Sequence, residues 1–505
     1  MRAVRAYDHL KDREIEGIMD NIHRLVNFIL PVTACNFRCH YCYVRQEERQ
    51  TGKIDDLDYS PEHIQRCMTK ERWGGICHIN ICGLGETLLA DYAVDLAVKM
   101  LENGHYVSIV TNGTITERIK ELCNISSELK ERLFFKFSFH YLELEKRGKI
   151  DVFFENVFLV RSCGCAFSVE LTVNDESVPY IPTIRKMCRE KIGADCHVIE
   201  SRNNLDGFSR LTTLPIEEHQ KLWGQFNSNL FAFQQTQWMK KRNEFCYAGD
   251  YITSLNVGSG WLLPCFSGGE PIQNVFKNPN EPIRFAAIGR NCPWSHCYAA
   301  YVLMTSGVIP TVKTPTYAEF RNRECEDGTQ WLTKTVSEFF STKIYETNPQ
   351  YSHEKELYID ILMSHVYNHH LNSTDFSQVA KEVQSHLGKK NIRTVAVAVY
   401  GRDDKWIDWF FSLLKNLKIK IKYAVDISDS KGNEETVREK LKHRFKYYVK
   451  RWIYCKKEKI LLLNKNDYLP KVDLMIVSDY AHATEIIPFI PVIYKNICTV
   501  TELMD

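Results

Sequence analysis

Cys35, Cys39 and Cys42, in the string Cys-Asn-Phe-Arg-Cys-His-Tyr-Cys, are the residues whose type and spacing imply chemistry most directly. Three thiolates on one short loop can wrap three irons of a [4Fe–4S] cube and leave the fourth iron open. Zinc sites usually draw cysteine in two separated pairs, which this spacing does not do. The segment follows an apolar run, VNFILPVT at 26–33, and an aromatic, Tyr41, stands just before its last cysteine.

A second group lies further along. Cys246 is followed by Gly260 and Cys265, then by Cys292 and Cys297. Four thiolates would saturate one iron–sulfur cluster, and the same four could instead hold zinc. Cys325, in Arg-Glu-Cys-Glu-Asp, is an alternative ligand, since a polar loop argues against a core role. It is also the one unassigned cysteine to test as a catalytic hydrogen donor, because Cys163 and Cys165 precede a strand and fall at the wrong end of it. Cys67, Cys77, Cys123, Cys188, Cys455 and Cys498 stand among apolar neighbours and are expected to fill core.

Composition narrows the setting. The chain has 505 residues, 18 of them cysteine, with 44% apolar and 25% charged residues and a net charge of +2. That charge predicts no strong attraction to nucleic acid or an acidic membrane. No apolar run reaches the roughly 20 residues that span a bilayer, and the charged N-terminus lacks the apolar core of a secretory signal. A cytoplasmic protein is expected, where disulfides are rare and dense cysteine points to metals or catalysis.

The elements that must position these residues follow from periodicity. Runs at 26–33, 77–83, 106–112, 134–140, 166–173 and 196–200 are short and rich in Val, Ile and Phe, with room for a helix between them. They predict βα units, with Ser60 and Pro61 marking one helix start. In parallel βα folds the site gathers at the C-terminal strand ends. The expected fold is α/β: a partial (β/α)6 TIM-like barrel over 1–215, then a small cysteine-rich domain over 216–345. A helical connector over 346–390 and a Rossmann-like α/β domain over 391–505 follow. In that last domain, Gly401 occupies the place of a dinucleotide loop, but Arg402, Asp403 and Asp404 replace the later glycines; Asp426 could meet a ribose hydroxyl. The basic, aromatic-rich stretch 438–459 reads as a helix with a solvated face, or less directly as an anion-binding surface.

The first cysteine string resembles the C-x3-C-x-aromatic-C motif of the radical S-adenosylmethionine (SAM) superfamily. The resemblance extends over about 26–200. Gly83-Leu84-Gly85-Glu86 looks like the glycine-rich segment that holds the methionyl amino group, although Thr87 stands where proline is common. Thr111-Asn112-Gly113 resembles the turn after the third strand, and Ser138 and His140 fall where the family contacts the SAM carboxylate or ribose. The resemblance therefore implies metal ligation by Cys35, Cys39 and Cys42. It implies cofactor contacts from Tyr41, Gly83, Gly85, Glu86, Thr111, Asn112, Ser138 and His140. It also implies the reaction: one electron from a reduced [4Fe–4S] cluster cleaves SAM to methionine and a 5′-deoxyadenosyl radical, which removes hydrogen from a substrate C–H bond.

The spacing C-x13-G-x4-C resembles the opening of the auxiliary-cluster extensions called SPASM or twitch domains. The short C-x4-C that follows fits the one-cluster twitch form better. An auxiliary [4Fe–4S] cluster on Cys246, Cys265, Cys292 and Cys297 would move electrons, which leans towards a net oxidation. An external donor such as flavodoxin or ferredoxin is implied. The substrate expected is a sugar or other metabolite, because only about 25 residues precede the first strand, too few for a leader-peptide module. The rivals are a ribosomal peptide or protein maturase and a non-catalytic iron–sulfur protein.

Overall fold

The computed structural model describes residues 21–266, 271–290 and 292–353, a few helical residues up to 363, and the backbone of four strands between 394 and 477. Six strands follow the expected runs: β1 (Arg24–Leu30), β2 (Cys77–Gly83), β3 (Tyr106–Thr111), β4 (Leu133–Ser138), β5 (Ala166–Thr172) and β6 (His197–Ile199). They are parallel and lie side by side in chain order. The helices Pro61–Cys67, Tyr92–Glu102, Thr116–Cys123, Ile150–Ser162 and Ile181–Ile192 fall between them. Ser60 caps the first by accepting from the His63 N–H, as its position predicts.

Alternation along the strands sorts the two faces. Phe28, Ile79, Ile81, Val107, Ile109, Phe135, Phe137, Val169 and Leu171 share one core with Leu96, Ile119, Val157 and Ile184 from the helices. Each such buried side chain contributes roughly 1.5–3 kcal/mol, which fixes the strand register because a one-residue slip would turn the set to the other face. On the opposite, inner face the strand starts are apolar. Leu25, Tyr106, Phe134 and Ala166 pack there with Leu303, Phe339 and Phe340 from later in the chain, and the rings of Tyr106 and Phe339 stack at 3.6 Å.

Beyond β6, β7 (Arg202–Asn203) and β8 (Ser209–Arg210) form a small hairpin. The next strands extend the barrel sheet itself. β9 (Ile252–Asn256) pairs in parallel with β1, and β10 (Trp261–Leu263) and β11 (Gln273–Asn274) add antiparallel to it. The result is a nine-stranded sheet, so the expected cysteine-rich region begins as a continuation of the barrel. Glycine, proline and aromatic residues hide these short strands in the sequence. Gly260 shows the reason for one glycine: at φ +81° it turns the chain from β9 into β10, and a Cβ there would meet Asn274 Oδ1 at 2.7 Å.

Strands β12 (Thr394–Val399), β13 (Lys420–Asp426), β14 (Leu461–Asn464) and β15 (Leu474–Val477) form a separate parallel sheet in the order β14-β13-β12-β15. That is the order of the first half of a doubly wound sheet, extended by one strand across its switch point. Gly401, Arg402, Asp403 and Asp404, the stretch 438–459 and most of the connector at 346–390 lie outside the described residues. Among the described residues, no helix is long and apolar enough to cross a membrane.

Candidate active site

The loop after β1 carries Cys35, Cys39 and Cys42, at the C-terminal edge of the sheet where the chemistry was expected. The three thiols are close enough for charge on one to raise the pKa of another. Burial pushes Cys35 up to about 11 and Cys39 up to about 12. An N–H from Phe37 points at Cys35 Sγ at 3.4 Å and works in the opposite sense, favouring the thiolate. Among the described residues the thiols are gathered without being drawn into coordination geometry.

The glycine-rich segment after β2 braces this loop. The Gly85 N–H donates to the Val32 carbonyl at 2.7 Å and the Glu86 N–H donates to that of Ala34 at 2.9 Å. A Cβ on Gly85 would sit 1.9 Å from the Ala34 oxygen, so no other residue fits without moving the cysteine loop. The close approach that this glycine allows is of chain to chain. The Glu86 side chain is buried and accepts from Thr111 Oγ1 (2.6 Å), the Asn112 N–H (2.7 Å) and the Leu88 N–H (3.0 Å). Burial raises its pKa, while those three donors hold the carboxylate. Asn112 completes the brace by donating from Nδ2 to Asn36 Oδ1 at 2.7 Å. Glu86, Thr111 and Asn112 thus fix the ends of β2 and β3 to the cysteine loop.

Tyr41 and His140 meet directly, with Tyr41 Oη 2.8 Å from His140 Nδ1. Burial holds the imidazole down to about 4, so it is neutral at physiological pH. Tyr41 also works against burial at the Cys39 thiol by lowering its pKa, so the pair connects the end of β4 to the cysteine loop. Ser138 is the last residue of β4, partly exposed, in register with Glu170. Gly83 lies against Val32, where a Cβ would meet the Val32 side chain at 3.2 Å.

Below this loop the inner face of the sheet is less closely covered at its C-terminal rim. The last inward residues of the six parallel strands, Ile29, Cys82, Val110, Ser138, Thr172 and Ile199, are partly exposed while the residues before them are buried. Below them the face is polar: Asn80 Nδ2 donates to Asn27 Oδ1 at 3.1 Å, and His78 Nε2 lies 2.5 Å from Ser108 Oγ. Lys136, Glu170 and Arg321 add buried charge. None of these was singled out from the sequence. The signal for the first two was a charged residue inside each of the apolar runs FFKFSFH and AFSVELTV; Arg321 carried none.

The cysteines of the second group lie within electrostatic reach of one another, likewise short of coordination geometry among the described residues. Cys297 is electrostatically coupled to Cys265, Cys246 and Cys292, and Cys246 to Cys292 and Cys265. Burial raises the pKa of Cys246, Cys292 and Cys297. Cys246 is placed by a backbone bridge to Gly289, and Cys265 by the end of β10. The residues following the last cysteine of each group share one cation. The Arg202 guanidinium carbon sits 4.3 Å from the Tyr43 ring centroid and 4.3 Å from that of Tyr298.

Cys325 is a correction. Its side chain is 4% exposed and packs under Gly193, at the end of the helix Ile181–Ile192, with Sγ 3.4 Å from the Ile192 carbonyl. That is the N-terminal edge of the sheet, opposite the edge that carries the loop of Cys35, Cys39 and Cys42. The flanking charged residues suggested an exposed loop, but alternate residues there face inward. Cys123 fills core as expected, 5% exposed, and there meets Cys163 at 2.9 Å, with Cys163 3.6 Å from Cys165, also at that edge.

Residues 29–133 match the family model described as Radical SAM superfamily. The chain carries a radical SAM domain. A domain of this kind belongs to enzymes that use S-adenosylmethionine and a [4Fe–4S] cluster. The match spans β1 to the start of β4, so it includes the cysteine loop, Glu86 and Asn112 and stops short of Ser138 and His140. No curated protein matches the sequence. Solved structures similar in part include Streptococcus suis SuiB bound to S-adenosylmethionine, at 14% identity over 52% of this chain, with a TM-score of 0.38. SuiB bound to its precursor peptide SuiA gives 15% over 52%, with 0.37. Native anSMEcpe with bound AdoMet gives 17% over 51% of this chain and 79% of that one, with 0.35. This chain spans 65% of the length of the SuiB chain, just under two thirds.

Proposed function

We propose that the protein reductively cleaves S-adenosylmethionine and abstracts hydrogen from a C–H bond of its substrate within the barrel. The observation that carries this is the cross-braced loop: three cysteines held by Gly85, Glu86 and Asn112 at the end of a sheet whose inner face is polar. The donor set fits a [4Fe–4S] cluster in type and number, with three thiols on a loop whose Phe37 N–H favours thiolate at Cys35. When bound, that cluster and SAM would supply the electron and the carbon radical for C–H cleavage. The chain's own part is to hold Cys35, Cys39 and Cys42 and to offer Gly83, Ser138 and the Tyr41–His140 pair at the rim. Its inner face receives the substrate.

Cys246, Cys265, Cys292 and Cys297 are assigned to an auxiliary [4Fe–4S] cluster of the twitch type. Four cysteine ligands leave no open iron, which suits electron transfer, and a small carrier such as ferredoxin or flavodoxin would deliver the electrons. The substrate expected is a sugar or other metabolite ahead of a ribosomal peptide. The C-terminal sheet, in its doubly wound order, is read as a Rossmann-like module.

The test is anaerobic reconstitution with iron and sulfide, followed by SAM and dithionite. Formation of 5′-deoxyadenosine is expected. Its absence despite a fully assembled first cluster would overturn the enzymatic reading.

A further inference from the structure

The inner face of the barrel carries three buried charged groups, Lys136, Glu170 and Arg321, outside the loop that holds the first three cysteines. Parallel register places Lys136 beside Ser168, and Glu170 beside Ser138 and His197, on that face. Lys136 is 8% exposed, Glu170 6% and Arg321 0%. Arg321 enters from the helix Tyr317–Arg321 and makes an ion pair with Glu170 through Nη1. Its Nε and Nη2 have no hydrogen-bond partner. Its guanidinium carbon lies 5.5 Å from the centroid of the partly exposed Tyr301 ring.

Two buried cations therefore face one buried carboxylate, with guanidinium donors left over. An unpaired buried charge and unmet buried donors each cost on the order of a few kcal/mol. Both lie on the inner face of the sheet, below its partly exposed rim at the C-terminal strand ends, and both would be met by the same kind of group.

We propose that the barrel lumen binds an anionic group of the substrate, a carboxylate or a phosphate, through Lys136 and the free donors of Arg321. The inference deepens the radical SAM reading and rests on it for what happens to the bound molecule. Glu170 orients Arg321 by occupying one side of its fork, which leaves the remaining N–H groups for the ligand. Burial lowers the Lys136 ammonium to about 8, with Glu170 and Cys82 raising it and Arg321 lowering it, so a bound anion would favour its protonated form.

The test uses reconstituted holoenzyme saturated with SAM, without reductant, so that the SAM carboxylate site is filled and no turnover occurs. Inorganic phosphate is titrated in one arm and acetate in another, with binding read from ³¹P and ¹³C line widths. Saturable broadening is expected in at least one arm, and the arm that saturates identifies the group. Lys136→Met should weaken it about tenfold or more, the loss of one charge-assisted hydrogen bond. Arg321→Lys, which keeps the charge but loses donors, should weaken it as well. Equal affinity in the wild type and Lys136→Met, or no saturable binding in either arm, overturns the proposal. If Arg321→Lys fails to fold, Lys136→Met decides alone. Failure of the enzymatic reading is separate: the wild type would then form no 5′-deoxyadenosine with dithionite, whatever the anion data show.

Discussion

The two cysteine groups are built in opposite ways. The first is local: one loop supplies all three thiols, and neighbouring strand ends supply only braces, through Gly85, Glu86 and Asn112. The second is assembled from distant places. Cys246 depends on a bridge to Gly289, Cys265 on a strand end, and Cys292 and Cys297 on a later loop held by Lys241, whose Nζ donates to the Trp294 carbonyl at 2.9 Å. A local group tolerates change elsewhere in the chain but not in its braces. A dispersed group depends on the fold around it.

Removing each group's cysteines breaks the comparison most sharply. Replacing Cys35, Cys39 and Cys42 together with alanine should abolish SAM cleavage while leaving about half of the reconstituted iron, as one of two cubes is lost. Replacing Cys246, Cys265, Cys292 and Cys297 should remove the other half. Iron analysis and 5′-deoxyadenosine formation check both. Complete loss of iron from the first variant would contradict the two-cluster assignment.

Next come the glycines. Gly85 meets fixed backbone, the Ala34 carbonyl, whereas Gly260 meets side chains and needs its left-handed φ. Gly85→Ala must displace the cysteine loop, and a misplacement of about 1 Å costs roughly a hundredfold in rate. Gly260→Ala should cost about 1–2 kcal/mol from the left-handed conformation, plus a side-chain shift, with SAM cleavage far less affected. Thermal unfolding and 5′-deoxyadenosine rates separate the two. Equal losses of cleavage in both variants would erase the distinction between a braced loop and a turn.

What the sequence revealed follows the same division. Six strands were legible because apolar runs of the right length sit between helical patterns, and the first cysteine string was legible because it is contiguous. The β9–β10 hairpin was not, since ITSLN and WLL are too short to outweigh the surrounding glycine and aromatics. Lys136 and Glu170 sit inside apolar runs at the positions that alternate with the outer core, but periodicity alone does not say which face is inner or that Arg321 joins them there. Cys325 was misjudged because charge in its neighbours says nothing about its own direction.

A smaller effect concerns the buried charge on the inner face. Lys136 titrates near 8 in the folded protein, against about 10.5 unfolded. Between those values the unfolded chain binds the extra proton, so stability rises with pH across that window and the penalty is fully present below about 8. The expected gain is about 1–3 kcal/mol, moderated by Glu170 and Cys82, which favour the charged form, and increased by Arg321, which opposes it. Lys136→Met should flatten this rise in urea unfolding curves measured from pH 7.5 to 10.5. An unchanged slope would mean that Lys136 reaches solvent or an acceptor that relieves its burial.

The smallest effect tests the cation shared by the residues that follow the two cysteine groups. Arg202 lies between Tyr43, next to Cys42, and Tyr298, next to Cys297, at 4.3 Å from each ring, and its Nε donates to Asn204 Oδ1 at 2.7 Å. Each cation–π contact contributes roughly 0.5–1 kcal/mol. Arg202→Gln should therefore cost about 1–2 kcal/mol, and Tyr298→Leu should cost less in its presence than in the wild type. A double-mutant cycle on unfolding free energy measures that coupling directly. Coupling near zero would show two independently supported cysteine groups. Coupling of about 0.5 kcal/mol or more would make Arg202 a physical link, through which a distortion at the dispersed group reaches the loop that holds Cys35, Cys39 and Cys42.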